Sequence, residues 1–383
     1  MKYNRRIIYL VGTIFSLPIA LMSYMNSSFI SSFVSEKLVG MVYAGGSIAS
    51  IIALLIAPKI FRKIGGYKFL LWVIALDAIS ILLFAFSYNA WSTSLLFICG
   101  FMFNTLILFS LDELLKILSR ASSTGRTRGI YITLCSCAWI VAQLALGTIL
   151  GESSFRFIYL TSFVMMVLFF FISYFHLGNI PDPEYDRTDT RKYLGEFLKN
   201  KNLLHAYIIN LLLQFFFCWM VIYTPIYLSL HLGFPWKDIG VIFAIMLLPF
   251  VIIPFQLGKY ADKIGERKML ILGFIITSLA TLSIFFLNTH NIWLWALVLF
   301  MTRVGAASLE VMSDAYFFKH IRPENEEFIG VYRSAAPIAY IVGPLLAFTV
   351  FSFVPSFNYI FLILGTVMLY GVYLSSTIKK NDI

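Results

Sequence analysis

Seven ionisable side chains interrupt otherwise apolar stretches of this chain: Asp77, Asp112, Glu113, Arg303, Glu310, Asp314 and Arg333. Charges are costly in apolar surroundings. Where they occur they pair with one another, bind ions or carry protons. Arg303, Glu310 and Asp314 are spaced i, i+7, i+11, which puts them on one face of a helix. Ala306 and Ala307 keep that side slim. An arginine fork suits a carboxylate or another anion. Glu310 can carry a proton or balance Arg333, which stands early in the next apolar run. The stripe reads as the lining of a wet cavity. The other reading is a structural salt-bridge ladder, and both keep it away from lipid. Asp77 lies in the middle of its run with no evident partner. It reads as a buried, hydrogen-bonded acid, with proton coupling as the alternative.

The elements that position these groups follow from composition. Of the 383 residues, 60% are hydrophobic and 13% charged, with a mean hydropathy of +0.85. A soluble domain averages about 25% charged residues. No water-soluble core could hide so much apolar sequence, so the solvent is a bilayer. The first run continues past Ala20 to about Ile30, too long for a signal-peptide core. Further runs cover about 37–58, 68–88, 92–117, 129–150, 155–176, 203–230, 236–258, 268–288, 292–318, 328–353 and 356–378. Each meets the ~20 residues that a helix needs to cross a bilayer. The tenth run has its midpoint near Ala307. At 1.5 Å per residue, Arg303 lies ~6 Å outward of it, Glu310 ~5 Å inward and Asp314 ~10 Å inward.

Charge sets the orientation. With the N-terminus inside, 24 of the 29 Lys and Arg residues fall in inner segments, and only Lys37, Arg156 and Lys237 fall outside. This bias predicts a multi-pass protein of the cytoplasmic membrane with both termini inside. Trp91, Trp236, Trp293 and Trp295 fall at outer ends, as an aromatic belt requires. The net charge of +10 is thus a topology signal and argues against a nucleic-acid partner. The cysteines, Cys99, Cys135, Cys137 and Cys218, sit inside apolar runs as small packing residues. No Cys/His set has zinc spacing, and no Gly-rich loop follows a strand to hold phosphate. No metal or cofactor is expected.

Between the eighth and ninth runs stands a basic loop, Gly258-Lys-Tyr-Ala-Asp262-Lys-Ile-Gly265-Glu-Arg267-Lys268. Its glycines allow a tight turn and close backbone approach. Pro58 to Lys68 repeats it at an offset of 200, with Pro58 in place of Gly258 and Arg62 in place of Asp262. A second echo matches Gly129-Ile-Tyr131 to Gly330-Val-Tyr332, and Glu113 to Asp314, at an offset of 201. The loop resembles the signature loop of the major facilitator superfamily. That resemblance implies an all-α integral membrane fold of twelve transmembrane helices in two six-helix bundles, related as parallel repeats. The bundles are expected over 1–177 and 203–383. The linker 178–202 has room for an interfacial helix presenting Tyr193, Leu194, Phe197 and Leu198.

The resemblance also sorts the polar residues. Helices one, four, seven and ten line the cavity in this family, which adds Asn26, Asn104, Gln214 and Tyr223 to Arg303, Glu310 and Arg333. The loop residues Gly258, Asp262, Gly265 and Arg267 then serve gating. Asp112, Glu113 and Asp314 are the acids that meet loop cations, Asp314 facing Arg267 and Glu113 facing Lys68 or Arg62. The exchange of acid for Arg62 suggests a charge-swapped latch, with Arg62 facing Glu324, Glu326 and Glu327 and Asp262 facing the helix that follows Arg126 and Arg128.

The function expected is secondary active transport of a small solute by alternating access, with protons as candidate coupling ion. Two arginines near the stripe favour an anionic or zwitterionic solute. The expected particle is a monomer in the lipid bilayer. Drug efflux loses its best family signature, because the fifth run lacks a Gly-Pro pair. Gly147 and Gly151 in that run have the spacing of close helix packing. The competing function is a transporter-like sensor that binds a ligand without moving it. An enzyme is disfavoured, since no nucleophile–base pair stands out.

Overall fold

The computed structural model describes residues 5–119, 124–152, 154–178, 190–254, 257, 265–321 and 328–378. The described residues are helical, and twelve segments are long and apolar enough to cross a membrane. In lipid the backbone must satisfy its own hydrogen bonds, which a helix does within one segment. Several buried hydroxyls meet the same constraint by folding back onto the carbonyl four residues earlier. Ser16 donates to Gly12 at 2.8 Å, Ser50 to Gly46 at 2.8 Å and Ser110 to Leu106 at 2.8 Å.

The chain folds as two compact units. Unit 1 holds Met1–Asp186 and Phe234–Ala244. Its helices are α1 (Arg5–Ser23), α2 (Asn26–Ser31), α3 (Glu36–Ile64), α4 (Gly66–Ala85), α5 (Ala90–Ser119), α6 (Thr124–Glu152) and α7 (Phe155–Leu177). Helix α1 packs on α6 and α7, while α4 lies against α5 and α7, and α3 against α5. The close packing expected at Gly147 is present. A Cβ on Gly147 would lie 3.1 Å from Gly240 Cα, within the 234–244 segment of the same unit.

Unit 2 holds Arg187–Gly233 and Ile245–Ile383. It contains α8 (Thr190–Lys199), α9 (Lys201–Ile226) with a π-helical turn at Tyr227–His231, and the end of α10 (Trp236–Leu247). It continues with α11 (Glu266–Phe286), α12 (Ile292–His320), α13 (Phe328–Arg333), α14 (Ala335–Phe353) and α15 (Tyr359–Ser376). Asn200 caps α9 by accepting from Leu203 N at 3.4 Å, and Asn291 caps α12 by accepting from Trp293 N at 3.0 Å. Helix α11 packs against α12 and α15, and α9 against α12, α14 and α15.

Two runs that read as continuous in the sequence are broken. The first becomes α1 and α2, parted at Tyr24–Met25, where a Met25 N to Met22 O bond of 3.1 Å tightens the turn. The eleventh becomes α13 and α14, parted at Ser334. Pro337 accounts for this, because its ring excludes a regular helical bond to the carbonyl of Arg333. The short linker helix forms as α8. Phe197 is fully buried, 5.9 Å from the Tyr207 ring and 5.6 Å from the Phe328 ring, whereas Leu198 is exposed. The side chains of Tyr193 and Leu194 lie outside the described residues.

The two loop copies share a backbone detail. Gly65 (φ 84°, ψ 148°) and Gly265 (φ 82°, ψ 144°) both start a helix in a conformation close to glycine-only territory. The sequence offset of 200 therefore marks one backbone turn used twice.

Candidate functional site in unit 2

The rotation of α12 about its own axis decides where its charges point. A Cβ on Gly305 would sit 2.6 Å from the Gly273 carbonyl oxygen of α11, and one on Gly273 would sit 3.0 Å from Leu309 Cγ. Helix α12 is thus pressed onto α11 along its Gly305–Leu309 side. At ~100° per residue, Arg303, Glu310 and Asp314 lie about 140–180° around from Gly305. The glycine crossing turns the charged stripe away from α11.

Arg303 is 1% exposed. Its guanidinium carbon stands 5.2 Å from the Phe216 ring centroid and 5.4 Å from that of Phe217, both on α9. Aromatic faces carry negative potential and hold a cation without neutralising it. Ala306 and Ala307 are buried beside it, and further along the stripe Glu310 and Asp314 are exposed. The stripe therefore runs from a buried cation to two exposed acidic residues on a single helix face.

Asp314 belongs to a network that crosses three helices. Its Oδ1 accepts from the Tyr332 hydroxyl at 3.0 Å, and Ser313 Oγ lies 2.7 Å from the same hydroxyl. The Tyr332 ring stacks on Phe317, with centroids 4.0 Å apart and planes 11° from parallel. Asn210 of α9 donates to the Tyr332 carbonyl at 3.2 Å, and Gln214 donates to Asn210 Oδ1 at 3.3 Å. Arg333, next to Tyr332, is exposed. Gln214, Asp314 and the neighbourhood of Arg333 are thus joined by hydrogen bonds.

Tyr332, Ser313 and Asn210 were not among the residues expected from sequence. The signal for Tyr332 was present in the Gly330-Val-Tyr332 echo. Its hydroxyl reaches the acid that the same echo singled out. Tyr223, expected at the cavity, is fully buried among Trp219, Phe351 and Phe357, with ring centroids 6.2, 5.4 and 6.2 Å away. In unit 1, Asn26 accepts from the Tyr159 hydroxyl at 2.9 Å, and Asn104 donates to the Gly100 carbonyl at 3.3 Å. Cys135 is within hydrogen-bond reach of Ser16 and Tyr131.

Of the gating residues, Gly258 and Asp262 lie outside the described residues, as do Glu324, Glu326 and Glu327. Arg62, Glu113, Arg126 and Arg128 are described only as helical backbone. Asp112 is half-buried on α5. Arg267 is half-buried and Lys268 exposed in the first turn of α11. The neighbouring Glu266 meets Lys319 at 3.7 Å.

Comparison with known proteins matches this picture. The family model of the Major Facilitator Superfamily matches residues 225–380. An uncharacterized MFS-type transporter of Bacillus subtilis (strain 168), YttB, is 24% identical over 337 residues, covering 84% of this chain and 81% of its own length. Among solved structures, the nucleoside transporter NupG aligns with a TM-score of 0.76 at 13% identity, covering 97% of this chain and 100% of that one. The D-xylose-proton symporter aligns with a TM-score of 0.73 at 15% identity, covering 99% and 98%. A bacterial homologue of the human lysosomal transporter Spinster gives 0.71 at 10% identity, covering 97% and 94%. With twelve apolar helices and a repeated glycine turn, the chain is similar to members of the major facilitator superfamily, whose family model matches its residues 225–380.

Proposed function

We propose that this protein is a secondary transporter of a small polar solute and that the α12 stripe of unit 2 is where it recognises that solute. The observation that carries the reading is the gradient along one helix face. A buried Arg303 lies beside two aromatic rings, and the acidic residues Glu310 and Asp314 are exposed further along the same face. A buried guanidinium packed against ring faces suits an anionic group. Exposed acidic residues on the same face suit the cationic end of a zwitterion, or a proton that moves with the solute. The network through Tyr332, Asn210 and Gln214 holds this wall in one arrangement. The names of similar structures, a nucleoside transporter and a xylose–proton symporter, support a small hydrophilic solute and proton coupling.

The test starts from purified full-length protein. Thermal unfolding is followed against a library of anionic, zwitterionic and neutral metabolites, since a ligand of the folded state raises its stability. Hits are then assayed for uptake into proteoliposomes with and without a pH gradient. The expected hits carry a carboxylate or phosphate, and lose their effect in Arg303→Ala. Stabilisation by uncharged solutes alone, unchanged by that substitution, would overturn the assignment.

A further inference from the structure

One buried carboxyl has no part in the stripe. Asp77 lies halfway along α4 and is fully buried. Neither of its oxygens has a hydrogen-bond partner among the described residues. Across from it on α5 is Gly100. A Cβ built there would lie 3.7 Å from Asp77 Oδ1 and 3.6 Å from Ser80 Oγ.

The hydroxyl beside this glycine has already committed its donor. Ser80 has one hydroxyl proton and gives it to the Leu96 carbonyl at 3.1 Å, which leaves lone pairs free. Asn104, one turn beyond Gly100, gives its Nδ2 to the Gly100 carbonyl at 3.3 Å. That bond sets which way the amide faces. Asn104 Oδ1 is then buried with no partner among the described residues. Asp77 Oδ1 and Ser80 Oγ thus meet where α5 lacks a side chain.

Charged and titratable groups on the surrounding helices are engaged elsewhere. Arg156 of α7 donates to the Ala85 carbonyl at 3.1 Å, at the end of α4. Tyr159 of α7 donates to Asn26, and Tyr67 donates to the Tyr174 carbonyl. Tyr43 of α3 packs its ring 4.6 Å from that of Phe97, and Lys59, Lys63 and Lys68 are exposed. Asp112 lies about 18 Å beyond Gly100 along α5. Cys99, beside Gly100, is half-buried.

A buried ionised carboxyl without a positive partner is strongly disfavoured. What this set lacks is a positive charge small enough to sit beside a glycine. Hard cations take carboxylate, amide and hydroxyl oxygens. We infer that Asp77, with Ser80 Oγ beside the Gly100 notch, forms a binding site for a small monovalent cation, a proton or a sodium ion, in the core of unit 1. The site is separate from the α12 stripe, and its test needs no transported solute.

The probes are sodium alone and protons alone, on purified full-length protein. In the sodium arm, thermal unfolding is compared in sodium chloride and in choline chloride at equal ionic strength. Sodium is expected to give a saturable rise in Tm that Asp77→Asn removes. Gly100→Ala places a methyl at ordinary contact distance from Asp77 Oδ1, so the fold survives while the ion's space is taken. Its sodium affinity is expected to fall by at least about tenfold. In the proton arm, infrared spectra follow the carboxylic-acid C=O band between about pH 5 and pH 10. A band that titrates, vanishes in Asp77→Asn and survives Gly100→Ala identifies the proton as occupant. Equal behaviour of the wild type in sodium and choline, together with a band that does not change with pH, overturns the proposal. So does a sodium effect or titrating band that persists in Asp77→Asn.

Discussion

Arg303 and Glu310 sit two helical turns apart on one face, one buried beside two rings and the other exposed. Removing either charge changes the proposed recognition wall without opening the helix packing on the opposite, Gly305 side. Arg303→Ala and Glu310→Gln are each expected to abolish solute uptake in proteoliposomes while membrane insertion and the size-exclusion profile stay normal. Normal uptake by both variants would reduce the stripe to a dispensable feature. The Tyr332–Asp314 bond is a separate matter of positioning. Hydrogen bonds to charged groups contribute about 1.5–3 kcal/mol, less where water reaches them. Tyr332→Phe is expected to lower stability by about 1 kcal/mol. A double-mutant cycle with Asp314→Asn should recover a coupling of about 0.5 kcal/mol or more. Additive losses in thermal unfolding would deny that the two side chains act together.

At the scale of elements, the crossing of α12 on α11 orients the stripe. Backbone approaches backbone there because Gly305 and Gly273 carry no side chains. Gly305→Ala would put a methyl 2.6 Å from the Gly273 carbonyl oxygen. Overpacking of this kind typically costs 1–3 kcal/mol, and the same loss of about that size is expected here. Gly330 provides the contrast, since a Cβ there meets nothing within 4 Å. Gly330→Ala should leave stability unchanged or raise it by up to about 1 kcal/mol, because alanine is the better helix former. Equal thermal shifts for the two variants would show that the crossing is looser than its geometry indicates. Helix α8 is also held by packing. Phe197 is fully enclosed against Tyr207 and Phe328, and Phe197→Ala is expected to cost about 3–5 kcal/mol. A change below ~1 kcal/mol in chemical denaturation would mean that α8 contributes little to unit 2.

For the whole molecule, the distribution of cations carries a topology. The 24 Lys and Arg residues assigned to one side of the twelve runs, against three on the other, predict both termini in the cytoplasm by the positive-inside rule. A cysteine introduced after Ile378 in a variant without native cysteines is expected to resist an impermeant thiol reagent in intact cells and to react after lysis. Labelling from outside would refute that orientation. The same charge surplus gives the cation-rich side an affinity for anionic lipid headgroups of about 1 kcal/mol per Lys or Arg near the surface.

Span number, repeat offset and the charged stripe were legible in the sequence because each depends on local composition or spacing. A run of ~20 apolar residues spans a bilayer whatever surrounds it. Residues at i, i+7 and i+11 share a helix face in any fold. Gly65 and Gly265 adopt one backbone turn because a positive φ needs glycine at that point in either copy. Partners were not legible, since they depend on which helices touch and how each is rotated. The rings of Phe216 and Phe217 beside Arg303, the Tyr332 hydroxyl on Asp314 and the burial of Tyr223 all follow from close contacts between helices distant in the chain. Asp77 stood out in the sequence as an acid without an evident partner. Only the packing of α4 on α5 put Gly100 beside Asp77 and Ser80, because burial and the spending of neighbouring donors are properties of the assembled helices and not of any one of them.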